Sequence, residues 1–509
     1  MKKLLLSLTG IICFTGLAHA QHIDRSKFIR DSLDYYINSA MTKWRIPGAA
    51  VCIVKDDKIV LMKAYGIKEL GLPAKVDINT LFMIGSNTKA FTATALAILQ
   101  NDKKLSLDDR VNKYIPQFRL DNKPADEVLV RDLLCHRLGF QTFQGDFTFY
   151  NTNLTRSEII KRLGMMKPAY PFRTKWGYTN AAFLTAGEII PAVIGKPWEV
   201  YIKENIFAPL GMSNTLALTA DMPKSLNRTV PHTLIDGRLS PIPYCQIDGL
   251  APAGAISSSV NDMSKWVSAL LDDGKVGPRQ IIPAAAIQAT RQPQDIVGSI
   301  RHLGGEMNYE LYGLGWFLQD YEGHRLVMHD GGVNGYLSSV TLVPQDHLGI
   351  IILTNTDQND LFEALRWEIM DAYFDLPYRD YSDTYLTDFK RYAAEELERD
   401  KKLRDTVALN LKPALSPHSY TGKYVNNLYG SLTITQGQNN DLEIRFEHHT
   451  RMYVKLQPLG GNRFYATFSD PTLGKAVFPF TVQNGAVKGL RVKVADFVER
   501  DPYDFTKVQ

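Results

Sequence analysis

The chain has 509 residues, 45% of them hydrophobic and 22% charged, with a formal net charge of +4 at pH 7. This is the composition of a folded globular protein, and it excludes long disorder, collagen, coiled coil and a polytopic membrane protein. The charge balance is too mild for a nucleic-acid partner: Lys2 and Lys3 sit in a segment expected to be removed, and no long basic run follows.

At roughly 100–200 residues per domain, the length allows two to four domains. Residues 1–20 read as a signal peptide. Lys2 and Lys3 head an apolar run over 4–17, too short to span a bilayer, and Ala18-His19-Ala20 supplies a small-x-small cleavage site. The mature protein is expected to be periplasmic or secreted. No integral membrane segment is expected after signal removal, since the later apolar stretch 181–195 is broken by Glu188 and Pro191. Losing Cys13 leaves Cys52, Cys135 and Cys245, which read as small buried hydrophobes in a chain that needs no disulfides.

Residues 24–45 carry Phe28, Ile29, Leu33, Tyr36 and Ile37 at helical spacings. Apolar runs at 48–54 and 59–65 flank Lys55-Asp56-Asp57-Lys58 and predict a β-hairpin. A helix is predicted from Ser86, because 90–99 is rich in Ala and Leu and has no breaker. Residues 105–240 read as short helices and loops. Strands are predicted at 326–329, 338–342 and 349–353, then an amphipathic helix at 361–373. This order predicts an α/β (α+β) domain over 23–378, with an antiparallel sheet and an inserted helical lobe. Residues 379–415 are highly charged and read as a solvated helical linker. From 416 to 509 apolar residues alternate, as in Leu442/Ile444/Phe446 and Phe478/Phe480/Val482. About six short strands of this kind predict a second, all-β domain, a small antiparallel barrel or sandwich.

Ser86-Asn87-Thr88-Lys89 is the pivotal tetrad. Residues three apart share one helix face. A serine in the first turn has its Oγ beside backbone N–H groups and the positive end of the helix dipole, which favour developing negative charge. A lysine one turn on, desolvated enough to be neutral, can take the hydroxyl proton. The spacing alone arises by chance roughly once or twice in such a chain, so its weight comes from its company. Tyr178-Thr179-Asn180 offers a phenol that can share the lysine's proton and an amide that can hold the lysine. His329-Asp330-Gly331-Gly332 closes a predicted strand, where glycine lets a substrate backbone approach the edge. The sequence has no metal-ligand cluster and no Gly-rich phosphate loop, so neither a metal nor another cofactor is expected.

Ser86-x-x-Lys89, Tyr178-x-Asn180 and His329-x-Gly331, in that order, resemble the three motifs of the serine β-lactamase and penicillin-binding-protein superfamily. The chain is most similar to the class C branch, which also holds esterases, DD-peptidases and D-amino-acid peptidases. The resemblance runs over residues 46–376. It includes Ile46-Pro47-Gly48, Leu133-Leu134-Cys135-His136, Pro209-Leu210-Gly211-Met212 and Tyr312-Gly313-Leu314-Gly315-Trp316. The tail, beginning with Tyr420-Thr421-Gly422-Lys423-Tyr424, resembles a lipocalin-like barrel that some of these hydrolases carry.

The resemblance implies that Ser86 is the nucleophile of an acyl-enzyme, Lys89 its base and Tyr178 a second acid/base. It implies Asn180, His329 and Gly331 as substrate-binding residues, and the N–H groups of Ser86 and Gly332 as the oxyanion hole. The implied activity is that of an exported serine hydrolase on an ester, amide or D-amino-acid-containing peptide, so the partner is a small molecule or a peptide. A β-lactamase or DD-peptidase is the alternative, and a non-catalytic sensor or docking protein the second alternative. A homo-oligomer formed through the C-terminal barrel is a further expectation. One departure weighs against β-lactams. Strict β-lactamases of the superfamily usually have Lys at the third motif to bind the substrate carboxylate, and some of its peptidases have His; here His329 is largely neutral at pH 7 and Asp330 adds negative charge.

Three other features carry paired readings. His136 is either a site residue or, more simply, a buried histidine fixing a loop. Phe147, Phe149 and Tyr150 line the cleft or pack a loop. Period two aims His448 and His449 at opposite faces of a strand, against a shared metal.

Overall fold

The computed structural model describes residues 26–298, 307–437 and 441–508, so the expected export signal lies outside the described residues. Helix α1 (Leu33–Trp44) buries Leu33, Tyr36, Ile37, Ala40, Met41 and Trp44, the three-and-four spacing that its sequence predicts. The hairpin follows as β1 (Gly48–Lys55) and β2 (Lys58–Gly66). Its turn residues Asp56 and Asp57 both take positive φ, 50° and 59°, the geometry that matches the twist of a two-residue hairpin. Helix α2 (Thr88–Asn101) is buried from Thr88 to Leu99, and α3 (Asn180–Gly187) from Ala181 to Gly187.

Six more strands complete the sheet: β3 (Asp295–Gly298), β4 (Glu310–Tyr312), β5 (Phe317–Tyr321), β6 (His324–Val333), β7 (Tyr336–Val343) and β8 (Leu348–Thr354). Their order is β3-β4-β5-β6-β7-β8-β1-β2, antiparallel throughout. The three strands predicted in this region fall inside β6, β7 and β8. Both faces of the sheet are covered. Ala50, Cys52 and Val54 of β1 point into the core shared with the helical lobe, whereas Ala49, Val51 and Ile53 point to α1 and α4 (Leu361–Tyr373). Cys52, Cys135 and Cys245 are free and buried, and burial pushes each thiol up to about 12, so they behave as inert packing groups.

The charged segment forms one helix, α5 (Tyr381–Ala408). It is not solvated along its whole length. Tyr381, Ser382 and Leu386 are buried, Phe389 packs on Trp44, and Asp400 pairs with Lys475 of the C-terminal domain at 2.9 Å. That domain is a closed antiparallel barrel of eight strands, β9 to β16: Gly422–Asn426, Gly430–Gln436, Leu442–Phe446, Tyr453–Pro458, Arg463–Phe468, Lys475–Gln483, Ala486–Val492 and Tyr503–Lys507. Pairing of Tyr424 with Lys507 joins first strand to last and leaves no open edge. The helical lobe inserts one side chain, Phe147, into the barrel's core. Among the described residues, no helix is long and apolar enough to cross a membrane.

Candidate active site

A single tight turn, Gly85–Asn87, precedes α2, so Ser86 stands on the turn and the helix proper starts two residues later than predicted. Gly85 has φ 50°, and a Cβ there would lie 2.8 Å from the nitrogen of Gly332 on β6. A Cβ on Gly331 would overlap the carbonyl oxygen of Ile84. The glycine read as admitting a substrate backbone therefore admits the protein's own chain just ahead of Ser86. Ser338 on β7 fastens this approach: its hydroxyl donates to Ile84 O and accepts from Asn87 Nδ2, each at 2.8 Å.

Lys89 is fully buried. Its Nζ lies 2.7 Å from Asn180 Oδ1, 2.8 Å from the carbonyl oxygen of Ala253 and 3.0 Å from Ser86 Oγ. The two carbonyl oxygens can only accept, so they take two N–H groups, and the third position faces the serine. Burial pulls the Lys89 pKa down to about 7, while the charge of Asp146 works the other way. Near neutrality the amine thus aims a lone pair at the Ser86 hydroxyl.

Tyr178 is buried, with its ring centroid 4.6 Å from Lys89 Nζ. Burial raises its pKa well above the phenol range, and a hydrogen bond with Ser86 opposes the shift. Its phenol therefore stays protonated, as a donor. Asn180 opens α3, and its Nδ2 donates to Asp146 Oδ2 at 2.6 Å. Asp146 is a member of this cluster that sequence reasoning missed. Burial pushes its pKa up to about 7, and its other oxygen, Oδ1, is buried without a protein partner.

His136 takes the simpler of its two readings. It is fully buried, and its Nδ1 accepts the backbone N–H of Thr179 at 3.0 Å. The loop that it fixes is the one carrying Tyr178 and Asn180, and its ring packs 4.2 Å from that of Tyr178. His329 Nδ1 is 2.6 Å from the carbonyl oxygen of Asp330, which only accepts, so Nδ1 carries the hydrogen and Nε2 accepts from Tyr312 Oη at 3.0 Å. Burial, then the nearby Lys89 charge, lowers the His329 pKa to about 4. The expected negative field of Asp330 needs correction: Arg366 on α4 grips its carboxylate at 2.8 and 3.0 Å and offsets the charge.

A cavity of about 580 Å³ opens onto Ser86. Phe143, Tyr150, Trp176, Tyr178 and Phe317 wall it, together with Phe497 and Val498 of the barrel, and none of its lining residues is Lys or Arg. The aromatic trio divides: Tyr150 lines the cavity, Phe149 joins the lobe's core, and Phe147 enters the barrel. His448 and His449 diverge, but from the loop after β11 and not from opposite faces of a strand as predicted: His448 turns towards Asn153 and Arg162, His449 towards Phe147. Among the described residues no cluster of three or more His, Cys, Asp or Glu side chains suits a metal ion.

A serine-bearing turn, a buried lysine and a protonated tyrosine, held between a helical lobe and an antiparallel sheet, fit the class of serine hydrolases. The chain belongs to the beta-lactamase family, whose model matches residues 33–374. An unguisins hydrolase of Aspergillus campestris is 28% identical over 427 residues, covering 80% of this chain and 78% of its own. An octameric penicillin-binding protein homologue from Pyrococcus abyssi shares the fold over 93% of this chain and 99% of its own, with a TM-score of 0.58 and 20% identity. A D-stereospecific amidohydrolase from Streptomyces matches 66% of this chain and 94% of its own, with a TM-score of 0.53 and 20% identity.

Proposed function

We propose that the chain is an exported hydrolase that forms an acyl-enzyme on Ser86 and acts on amides, short D-amino-acid-containing peptides or esters. The observation that carries this reading is the buried Lys89 amine, 3.0 Å from Ser86 Oγ with two carbonyl acceptors fixing its other hydrogens. Lys89 takes the hydroxyl proton as Ser86 attacks the acyl carbon. The oxyanion is received by the N–H groups of Ser86 and Gly332, whose backbones the Gly85 approach brings together. Tyr178, protonated and hydrogen-bonded with Ser86, gives its proton to the leaving group; in deacylation it takes a proton back from the attacking water, and Lys89 returns its proton to Ser86 Oγ as the acyl bond breaks.

Two features favour amides and peptides. Asp146 Oδ1 is a buried acceptor without a partner on a residue that lines the cavity, so a substrate N–H would satisfy it. The amidohydrolase and unguisins-hydrolase names of the similar proteins agree with that preference. Self-association, proposed to run through the barrel, is compatible with the octameric state of the Pyrococcus homologue, and sedimentation velocity of the full chain against a chain cut before the barrel tests it. Export rests on residues 1–20, and N-terminal sequencing of the secreted or periplasmic protein tests it.

The deciding experiment is labelling with a fluorescent phosphonate, followed by peptide mapping. The label is expected on Ser86, with Ser86→Ala unlabelled, inactive and unchanged in melting temperature. Activity of Ser86→Ala near that of wild type overturns the reading. Lys89→Ala and Tyr178→Phe are expected to lose roughly 10³-fold or more each in kcat, and the double variant little beyond either one, because the groups act as a unit.

A further inference from the structure

The turn that carries Asp146 is held by the barrel. Glu499 lies between β15 and β16 and is 3% exposed. Its carboxylate accepts the backbone N–H of Gly145 at 2.7 Å, that of Phe147 at 3.0 Å and the hydroxyl of Tyr503 at 2.5 Å. The Phe147 ring stacks on Tyr429 and His449, with centroids 5.1 and 4.7 Å apart. Gly145 has φ 85°, and a Cβ there would run into the sulfur of Met166, so the turn's conformation is specific to glycine. Asp146 is the residue between the two gripped N–H groups. Its Oδ2 receives Asn180 Nδ2, and Asn180 Oδ1 receives Lys89.

We propose that Glu499 is a positioning residue for the lysine at the active site: the barrel grips the 145–147 turn, which sets Asp146 against Asn180 and Asn180 against Lys89. The proposal rests on the reading of Lys89 as the base. The two ends of an asparagine amide have nearly the same shape but opposite polarity. Without Asp146 on Nδ2, the amide is free to turn over and present N–H groups to the lysine, where they compete with the Ser86 hydroxyl for its lone pair. Burial is the main reason that Asp146 does not ionise easily, and the Glu499 carboxylate, held against its turn from the barrel, adds repulsion. Burial raises the pKa of Glu499 itself to about 7, and the charged or titratable groups beside it are Tyr503, Asp501 and Lys493, whose Nζ donates to the Glu499 backbone oxygen at 2.6 Å; His136, His329 and Tyr178 lie beside Lys89. Releasing the turn admits water, favours ionised Asp146 and therefore favours the cationic lysine.

The test uses the full chain and two readouts: the rate at which the phosphonate labels Ser86, and the titration of Lys89 followed by NMR of ¹³Cε-lysine, assigned with Lys89→Arg. Glu499→Ala is expected to slow labelling at pH 7 by ~10–100-fold, as small misplacements at reacting groups do. It is expected to raise the Lys89 midpoint by about one pH unit, so that labelling recovers in alkaline buffer. In an Asp146→Ala background the same change is expected to cost less than about twofold, since the two residues act in series. An unmoved Lys89 midpoint, or an equal loss in both backgrounds, overturns the proposal. If Glu499→Ala does not fold, Glu499→Gln and Tyr503→Phe carry the same cycle. If wild type is not labelled at Ser86, the hydrolase reading fails, and the Lys89 midpoint alone decides the role of Glu499.

Discussion

Three oxygen atoms surround one nitrogen at Lys89, and only the serine among them can give up a proton. Because burial lowers the lysine's folded-state pKa from 10.5 to about 7, the base proposed there is blocked below that value and free above it. The expected pH profile of kcat/KM therefore rises through about pH 7 and is flat above it until the substrate or fold fails, and a profile that falls with rising pH there contradicts the assignment. His329 does not contribute to this limb: at about 4 its protonation lies below the range in which Lys89 works. The third motif thus presents a neutral donor–acceptor at every useful pH. A carboxylate fixed beside it loses a charge-assisted hydrogen bond worth ~1.5–3 kcal/mol. Nitrocefin is expected to have a lower kcat/KM than a p-nitrophenyl ester or a D-amino-acid amide, and His329→Lys to narrow the gap; nitrocefin as the best of the three refutes this. Within Ser86/Lys89 and within Tyr178/Asn180, spacing in one helical turn or one tripeptide fixes proximity; that the two pairs meet, 91 residues apart, came from the resemblance to the family's ordered motifs. Asp146 was not legible in the sequence. A lone acidic residue in an aromatic-rich loop shows no spacing that ties it to a partner, and its meeting with Asn180 spans 34 residues of sequence.

The elements of the sheet were legible where their side chains carried the pattern. β1, β7 and β8 are buried on nearly all positions and show as apolar runs, and α4 shows its period. β3, β4 and β5 were missed because they are short and carry charged or polar residues such as Asp295, Glu310 and Gln319, so neither alternation nor an apolar run marks them. The barrel's alternation was visible but undercounted, since β9 and β16 owe their place to ring closure between the two ends of the domain. The contact of β6 with the Ser86 turn was equally hidden, yet it gives two adjacent glycines different physical jobs. Gly331 leaves room for the Ile84 carbonyl, whereas a Cβ on Gly332 would meet only Leu337, at 3.3 Å, on an exposed face. Gly331→Ala is expected to destabilise the protein by roughly 1–3 kcal/mol and to disable Ser86 by pushing its turn off the strand. Gly332→Ala is expected to stay within about 0.5 kcal/mol of wild type. Chemical denaturation of the two variants side by side checks this, and equal losses sink it.

At the scale of the whole molecule, the reading of residues 379–415 as a linker suggests two bodies that unfold separately, and the structure ties them together at several places. Asp400 of α5 bonds to Lys475 and to Tyr465 on the barrel wall. Asn153 N–H donates to the carbonyl of His448, and Asn334 Nδ2 to Thr472 Oγ1. Phe147 closes the set: it is wholly buried, lies in the barrel's core beside Tyr429, Phe446, His449 and Tyr503, yet belongs to the helical lobe. Sharing a core residue of this size makes the barrel's stability depend on the lobe and the lobe's on the barrel, so one cooperative transition is expected by calorimetry. Phe147→Ala removes the shared ring and leaves a cavity between bodies that cannot collapse without breaking the Glu499 grip on the neighbouring N–H groups. The expected loss is about 3–5 kcal/mol, in the range of buried Phe→Ala changes, and with it the single transition splits into two as the barrel melts apart from the catalytic domain. A conservative Phe147→Leu refills most of the volume and is expected to restore a single peak. Two well-separated transitions in the wild-type chain, or a Phe147→Ala variant that melts in one step at the wild-type temperature, show instead that the domains touch without sharing a core.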